Sequence, residues 1–147
     1  MEGHEMLYLA RSEVNRLLAT SMGLGSRLPA YCTSIGRVLL AQLSEPALAR
    51  YFAAIELQPY TEFTITTEAR LRAELARIRE QDYAVVDQEL ELNVRAISVP
   101  VRSASGKACG AVNVSVKAAR VPLERLTGEF LAPMRQAVAR IGEFLAA

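Results

Sequence analysis

The stretch Leu28-Pro-Ala-Tyr-Cys-Thr-Ser-Ile-Gly-Arg-Val-Leu-Leu-Ala41 holds the residues best placed for chemistry. A polar turn from Pro29 to Ser34 leads straight into an apolar helix start. It brings hydroxyls, a thiol and free backbone N–H groups to one helix N-terminus. The first N–H groups of a helix lack intrahelical partners and carry partial positive charge, so a small anion can be held there. No nucleophile–base pair and no cluster of metal-ligating residues accompanies the turn. The pattern points to sensing a small acid rather than transforming one.

Four further features bear on chemistry. If Val94 to Val101 is a strand, alternation puts Val94, Ala96, Ser98 and Pro100 on one face and Arg95, Ile97, Val99 and Val101 on the other. In the run Ala111 to Val116, Ala111, Asn113 and Ser115 oppose Val112, Val114 and Val116 in the same way. The small hydrogen-bonding set is either a ligand floor or the solvent side of an antiparallel sheet, and alternation leaves both readings open. Asp87, Glu89 and Glu91 form an acidic cluster, read as a solvated loop, with a ligand lid or a divalent-cation contact as the alternative. Cys32 beside a helix N-terminus is expected to give up its proton more easily, but a base for it would have to be His4, near the start of the chain. Arg37 and Arg16 are candidate carboxylate partners or surface residues, and Tyr31 either stacks on an aromatic ligand or fills the core. Gly23-Leu-Gly25 has no third glycine at the spacing a nucleotide loop needs.

The elements that must position these residues follow from periodicity. Met6–Ala10 and Val14–Thr20 read as a hairpin, and residues 23–26 as a loop. Helices are expected over Ser34–Leu43, from Ser44-Glu-Pro46 to about Ile55, and over Glu68–Gln81 with Thr67 as its cap. Tyr83–Asp87, Val94–Arg102 and Ala108–Lys117 read as strands, with a loop over residues 88–93 and a turn at Ser103–Gly106. A last helix starts near Pro122 with Leu123, Leu126, Phe130, Met134, Val138, Ile141 and Leu145 on one stripe, and Pro133 should kink or divide it. The order ββ-ααα-βββ-α segregates strands from helices and implies an α+β fold with antiparallel pairing.

Bulk properties narrow the classes. The chain has 147 residues, 51% hydrophobic and 22% charged, with 17 basic and 16 acidic side chains for a net charge of +1. That length suits one domain, and the near-neutral balance is unlike a nucleic-acid-binding surface. Two cysteines and one histidine form no zinc pattern, and the cysteines read as free cytosolic thiols. No run of ~18 apolar residues suggests a membrane span, and no signal peptide is evident, so a cytoplasmic location without membrane contact is expected.

Three blocks resemble one family in the right order. They are Leu28–Ala41; Asp82-Tyr-Ala-Val-Val-Asp-Gln-Glu-Leu-Glu-Leu-Asn-Val-Arg-Ala-Ile-Ser-Val-Pro-Val101; and Gly110-Ala-Val-Asn-Val-Ser115. Together they resemble the effector-binding domain of IclR-type bacterial transcription regulators, over about residues 5–145. The wording is most similar to the subgroup responding to protocatechuate, 4-hydroxybenzoate and β-ketoadipate. The resemblance implies a GAF-like antiparallel sheet flanked by helices, with a ligand cup on one sheet face. It also implies a homodimer or homotetramer, and DNA contact only through an N-terminal winged helix-turn-helix absent from this chain. The family's ligand contacts fall on Ser34 and Ile35, near Val86, Asp87 and Ala96, and on Asn113 and Ser115. Two departures are Asn93, where many relatives have a turn glycine, and Ala96, where many have cysteine or serine.

The expected function is therefore a non-enzymatic sensor of a small carboxylate, aromatic or a β-keto diacid, needing no cofactor or metal. Tyr31, Thr33, Ser34, Ile35, Val86, Asp87, Ala96, Ser98, Asn113 and Ser115 form the expected site. The alternatives are a small hydrolase or isomerase using Cys32 or Asp87 and Glu89, and a ligand-free assembly module with a filled cup.

Overall fold

In the computed structural model the described residues are 3–10, 12 and 25–145. Two antiparallel sheets are present. The smaller pairs β1 (Glu5–Leu7) with β2 (Arg27–Pro29). The larger joins β3 (Ala84–Asp87), β4 (Val94–Arg102) and β5 (Ala108–Lys117) in that order. Its register sets Val86 beside Ala96 and Ala96 beside Ser115, and Ala84 beside Ser98 and Ser98 beside Asn113. The partner of β1 is thus Arg27–Pro29, which follows the expected loop over residues 23–26 and runs into the polar turn that starts at Pro29. The expected second strand, Val14–Thr20, and Arg16 within it lie outside the described residues.

Helix α1 spans Ser34–Leu40, α2 Glu45–Ala53 and α3 Glu68–Gln81. The predicted extension of α1 to Leu43 stops early. The amides of Gln42 and Leu43 bond the carbonyls of Leu39 and Leu40, tightening the last turn to three-residue spacing. The chain then starts α2 with Pro46 in its first turn, where a missing N–H costs nothing. α3 has the predicted bounds, and Asp82 ends it in the left-handed conformation with φ 60°.

The last helical stretch is divided, as Pro133 required. A short α4 (Leu123–Arg125) runs into a π-helical segment (Leu126–Phe130) and then α5 (Leu131–Phe144). Proline at 133 cannot donate to the turn before it, and the widened segment lies just ahead of that gap. Leu126 and Met134 are buried, with Phe130 and Val138 packed beside them, whereas Leu123, Ile141 and Leu145 are exposed.

The three-stranded sheet is covered on both faces. Ile97, Val99, Val112, Val114 and Val116 meet Leu126, Met134 and Val138 on one face. On the other lies α1, backed by α3 through Val38, Leu40, Leu71, Leu75 and Ile78. The expected alternation is therefore correct, and the small-residue face points toward α1 rather than to solvent.

Candidate functional site: a cup between α1 and the sheet

Space remains on the small-residue face. A partly open cup with a cavity volume of about 50 Å³ lies between the first turn of α1, the sheet and β1. Thr33, Ser34 and Ile35 line it from the turn, Val86 from β3, Ala96 from β4, and Asn113 and Ser115 from β5. The register explains the grouping, because Val86, Ala96 and Ser115 are cross-strand neighbours. Seven of the ten predicted residues thus meet in one place.

The other three do not line it. Ser98 is fully buried beneath the floor, and its hydroxyl donates to Ser34 Oγ at 2.8 Å. Tyr31 fills the core: its hydroxyl donates to the Gln58 carbonyl at 2.8 Å, and its ring faces Tyr60. Asp87 points to the opposite side of the strand, where Arg95 Nε and Nη2 donate to its two oxygens at 2.8 and 2.9 Å. One residue along a strand reverses the face, so Val86 and Asp87 cannot share the cup.

The acidic cluster is not a solvated loop. Glu89 is buried and takes both Arg37 terminal nitrogens, at 2.6 and 2.5 Å, while Arg37 Nε donates to the Tyr31 carbonyl at 2.6 Å. The Ile65 amide completes the Glu89 carboxylate at 3.0 Å, and Thr64 donates to the Glu89 carbonyl at 2.6 Å. Arg37 is neither a surface residue nor a cup residue. It ties α1 to the loop over residues 88–93, whose Leu90 and Glu91 line the cup. Both ends of that loop take left-handed backbone, Gln88 at φ 60° and Asn93 at φ 63°. Asn93 thus does the work of the family's glycine, and its Oδ1 also accepts the Ala119 amide at 2.9 Å.

The turn carrying Thr33–Ile35 is fixed by two devices. Thr33 caps α1, its hydroxyl donating to the Pro29 carbonyl at 2.9 Å and accepting the Gly36 amide at 3.3 Å. Gly36 lies against Ala30, whose carbonyl oxygen would be 2.2 Å from a β-carbon there. Only glycine permits that approach.

Cys32 lines the cup but is inert. Burial pushes its thiol up to about 12, outweighing the nearby Arg37 cation, so the helix N-terminus does not activate it. Sequence reasoning misses Met6, Tyr8, Leu28, Leu90 and Glu91 as lining residues, and Val94, which alternation puts on the same face as Ala96, lines the cup as well. β1 and β2 have three residues each, too few for alternation to be read. Among the described residues no group of histidine, cysteine and carboxylate side chains could hold a metal ion. No helix there is long and apolar enough to cross a membrane.

The family model described as bacterial transcriptional regulator IclR, C-terminal, matches residues 1–143. The chain belongs to this family. The Pca regulon regulatory protein of Pseudomonas putida is 42% identical over 132 residues, covering 89% of this chain and 45% of that protein. The inducer-binding domain of the PobR transcription factor from Acinetobacter, a double mutant in complex with 3-hydroxybenzoic acid, matches with TM-score 0.91 and 34% identity. That match covers 97% of this chain and 83% of its own. The Thermotoga maritima IclR structure matches at TM-score 0.91 with 28% identity, covering all of this chain and 59% of the other. The chain spans about half the length of the curated relatives it matches. These relatives are transcription regulators, not enzymes, and they include regulators of aromatic-acid catabolism. This IclR-type domain has the element order that periodicity and turn signals imply.

Proposed function

We propose that this domain is the effector sensor of a transcription regulator and that the cup binds a small carboxylate, an aromatic acid or β-ketoadipate. The observation that carries the reading is a part-open cup with apolar walls and a few convergent polar groups, the ordinary build of a small-ligand site. Ser34 and the first amides of α1 receive the carboxylate. Ile35, Val86, Leu90, Val94 and Ala96 enclose the body of the acid. Ala96 adds room and no hydrogen bond, which suits a ring. The likeness to the Pca regulon protein and to the hydroxybenzoate-bound PobR domain supports the aromatic class.

Binding favours one arrangement of the loop over residues 88–93 and of the helices, and that preference is what transmits a signal. In the whole protein the domain self-associates as a dimer or tetramer, and DNA is contacted by a winged helix-turn-helix outside these 147 residues, in the cytoplasm. The near-neutral charge of the chain agrees with DNA contact elsewhere. Neither alternative has comparable support. Cys32 is protonated and without a base, Asp87 and Glu89 are each tied to an arginine, and the cup is not filled by the described residues.

Thermal melts of the chain with 4-hydroxybenzoate, protocatechuate, β-ketoadipate, benzoate, glyoxylate and pyruvate test this. One acid should raise the melting temperature and do so with saturation, and the double variant Ser34→Val with Asn113→Leu should fold and lose the response. A response that survives in that variant would mean the acid binds elsewhere.

A further inference from the structure

The cup's own hydrogen bonds say which kind of atom it can receive at each end. Thr33 spends its proton on the Pro29 carbonyl. Ser115 donates to Asn113 Oδ1 at 3.3 Å. Asn113 Nδ2 has two protons, and they go to Ser115 Oγ at 3.1 Å and to the Tyr8 hydroxyl oxygen at 3.3 Å. Ser34 accepts from Ser98, so one of its two lone pairs is occupied while its proton is not. Tyr8 stands in the same position: it accepts from Asn113, and among the described residues no acceptor takes its O–H. Counting partners among the described residues, Ser34 and Tyr8 are the hydroxyls lining the cup that have a hydrogen left to give. Ser34 is on α1, and Tyr8 comes from the segment after β1 and reaches the floor at β5.

We propose that Tyr8 is a specificity-determining residue of the cup, its hydroxyl donating to an oxygen acceptor at the end of the acid remote from the carboxylate. This rests on the cup being the acid site. The ligand class is then a compact acid with a second oxygen: a ring hydroxyl or carbonyl, or a distal carboxylate. Asn113 does not read the ligand directly; it positions Tyr8 by occupying the phenol's lone pair. A ligand group that can only donate leaves the Tyr8 O–H unpaired, which disfavours it.

Calorimetric titration of the wild-type chain and of Tyr8→Phe with two matched pairs tests this. The pairs are benzoate with 4-hydroxybenzoate and hexanoate with adipate. In one pair the oxygen-bearing member should bind about tenfold more tightly, the worth of one hydrogen bond. Tyr8→Phe should erase that gap and leave the simple acid's Kd within twofold. The pair that shows the gap tells a ring oxygen from a distal carboxylate. Tyr8→Phe weakening both members equally, or neither, overturns the proposal, and acid binding that Ser34→Ala still weakens would keep the cup itself as the site. Absence of binding by all four acids overturns the Tyr8 proposal, while the wider set of acids in the thermal melts decides separately whether the cup is an acid site. The melting temperature of unliganded Tyr8→Phe checks that the variant is folded.

Discussion

The two faces of the β3–β4–β5 sheet come from the same three strands and are finished in opposite ways. One carries Ile97, Val99, Val112, Val114 and Val116 and is packed by Leu126 and Met134. The other carries Ala96, Ser98, Asn113 and Ser115 and is packed only in part, with Ser98 buried against Ser34 and the rest fronting a cup. Alternation puts both programmes in one sequence, because residues two apart share a face. The difference teaches that a binding face needs its rigidity from elsewhere. On the filled face side chains supply it. On the cup face it comes from backbone contact at Gly36 and Ala30 and from the buried Arg37–Glu89 pair.

The sharpest way to break this comparison is to remove that pair's acid. Glu89→Ala leaves a buried guanidinium without its counter-charge and should cost about 3–5 kcal/mol, read as a shift in the urea midpoint. A cost under about 1 kcal/mol would mean the cup face does not depend on the pair. On the filled face, Ile97→Ala should cost about 2–5 kcal/mol through a cavity, with ligand affinity nearly kept. Ala96→Leu, its neighbour on the cup face, should change stability by less than about 1.5 kcal/mol, since it enters existing space, yet abolish acid-induced stabilisation. If Ala96→Leu melts like Ile97→Ala, the two faces are packed alike and the comparison fails.

Smaller effects sharpen it. Asp87→Asn loosens a pair with a part-exposed carboxylate and should cost about 1 kcal/mol or less, well below Glu89→Ala. The smallest effect is on the thiols. Cys109 is exposed and should label readily at pH 8, whereas Cys32 should label only as fast as the chain opens. Burial raises the Cys32 value from 9.0 to about 12, so the fold favours its protonated form. That contribution is whole below pH 9 and is lost as pH rises through about 12. Fast labelling of both thiols in the native protein would contradict the closed packing of the turn.

Much of this was legible in sequence because it rests on local rules. The alternation in Val94–Val101 and Ala111–Val116 set which residues share a face. Thr67, Pro46 and Pro133 marked helix ends and the break, and the spacing of Leu71, Leu75 and Ile78 set the buried face of α3. What stayed hidden depends on distant partners. Arg37 and Glu89 are 52 residues apart, and each alone reads as a surface charge. Asp87 was grouped with Val86 by the family motif, although strand geometry sends neighbours to opposite sides. Ser98 carries the right residue type on the right face but is consumed by Ser34. Tyr8 enters the cup from the segment just after β1, a strand too short to show a period.

The loop over residues 88–93 and the first turn of α1 are clamped together by Arg37, which makes these two walls of the cup one jaw. The facing jaw is the β1–β2 ribbon, three residues per strand, which supplies Met6 and Leu28 and leads on to Tyr8. An isolated ribbon of that size is weakly held. On the proposed function, a bulkier acid should displace the ribbon rather than part α1 from the loop. Amide exchange should slow on ligand binding at Met6 and Leu28, and change little at Arg37.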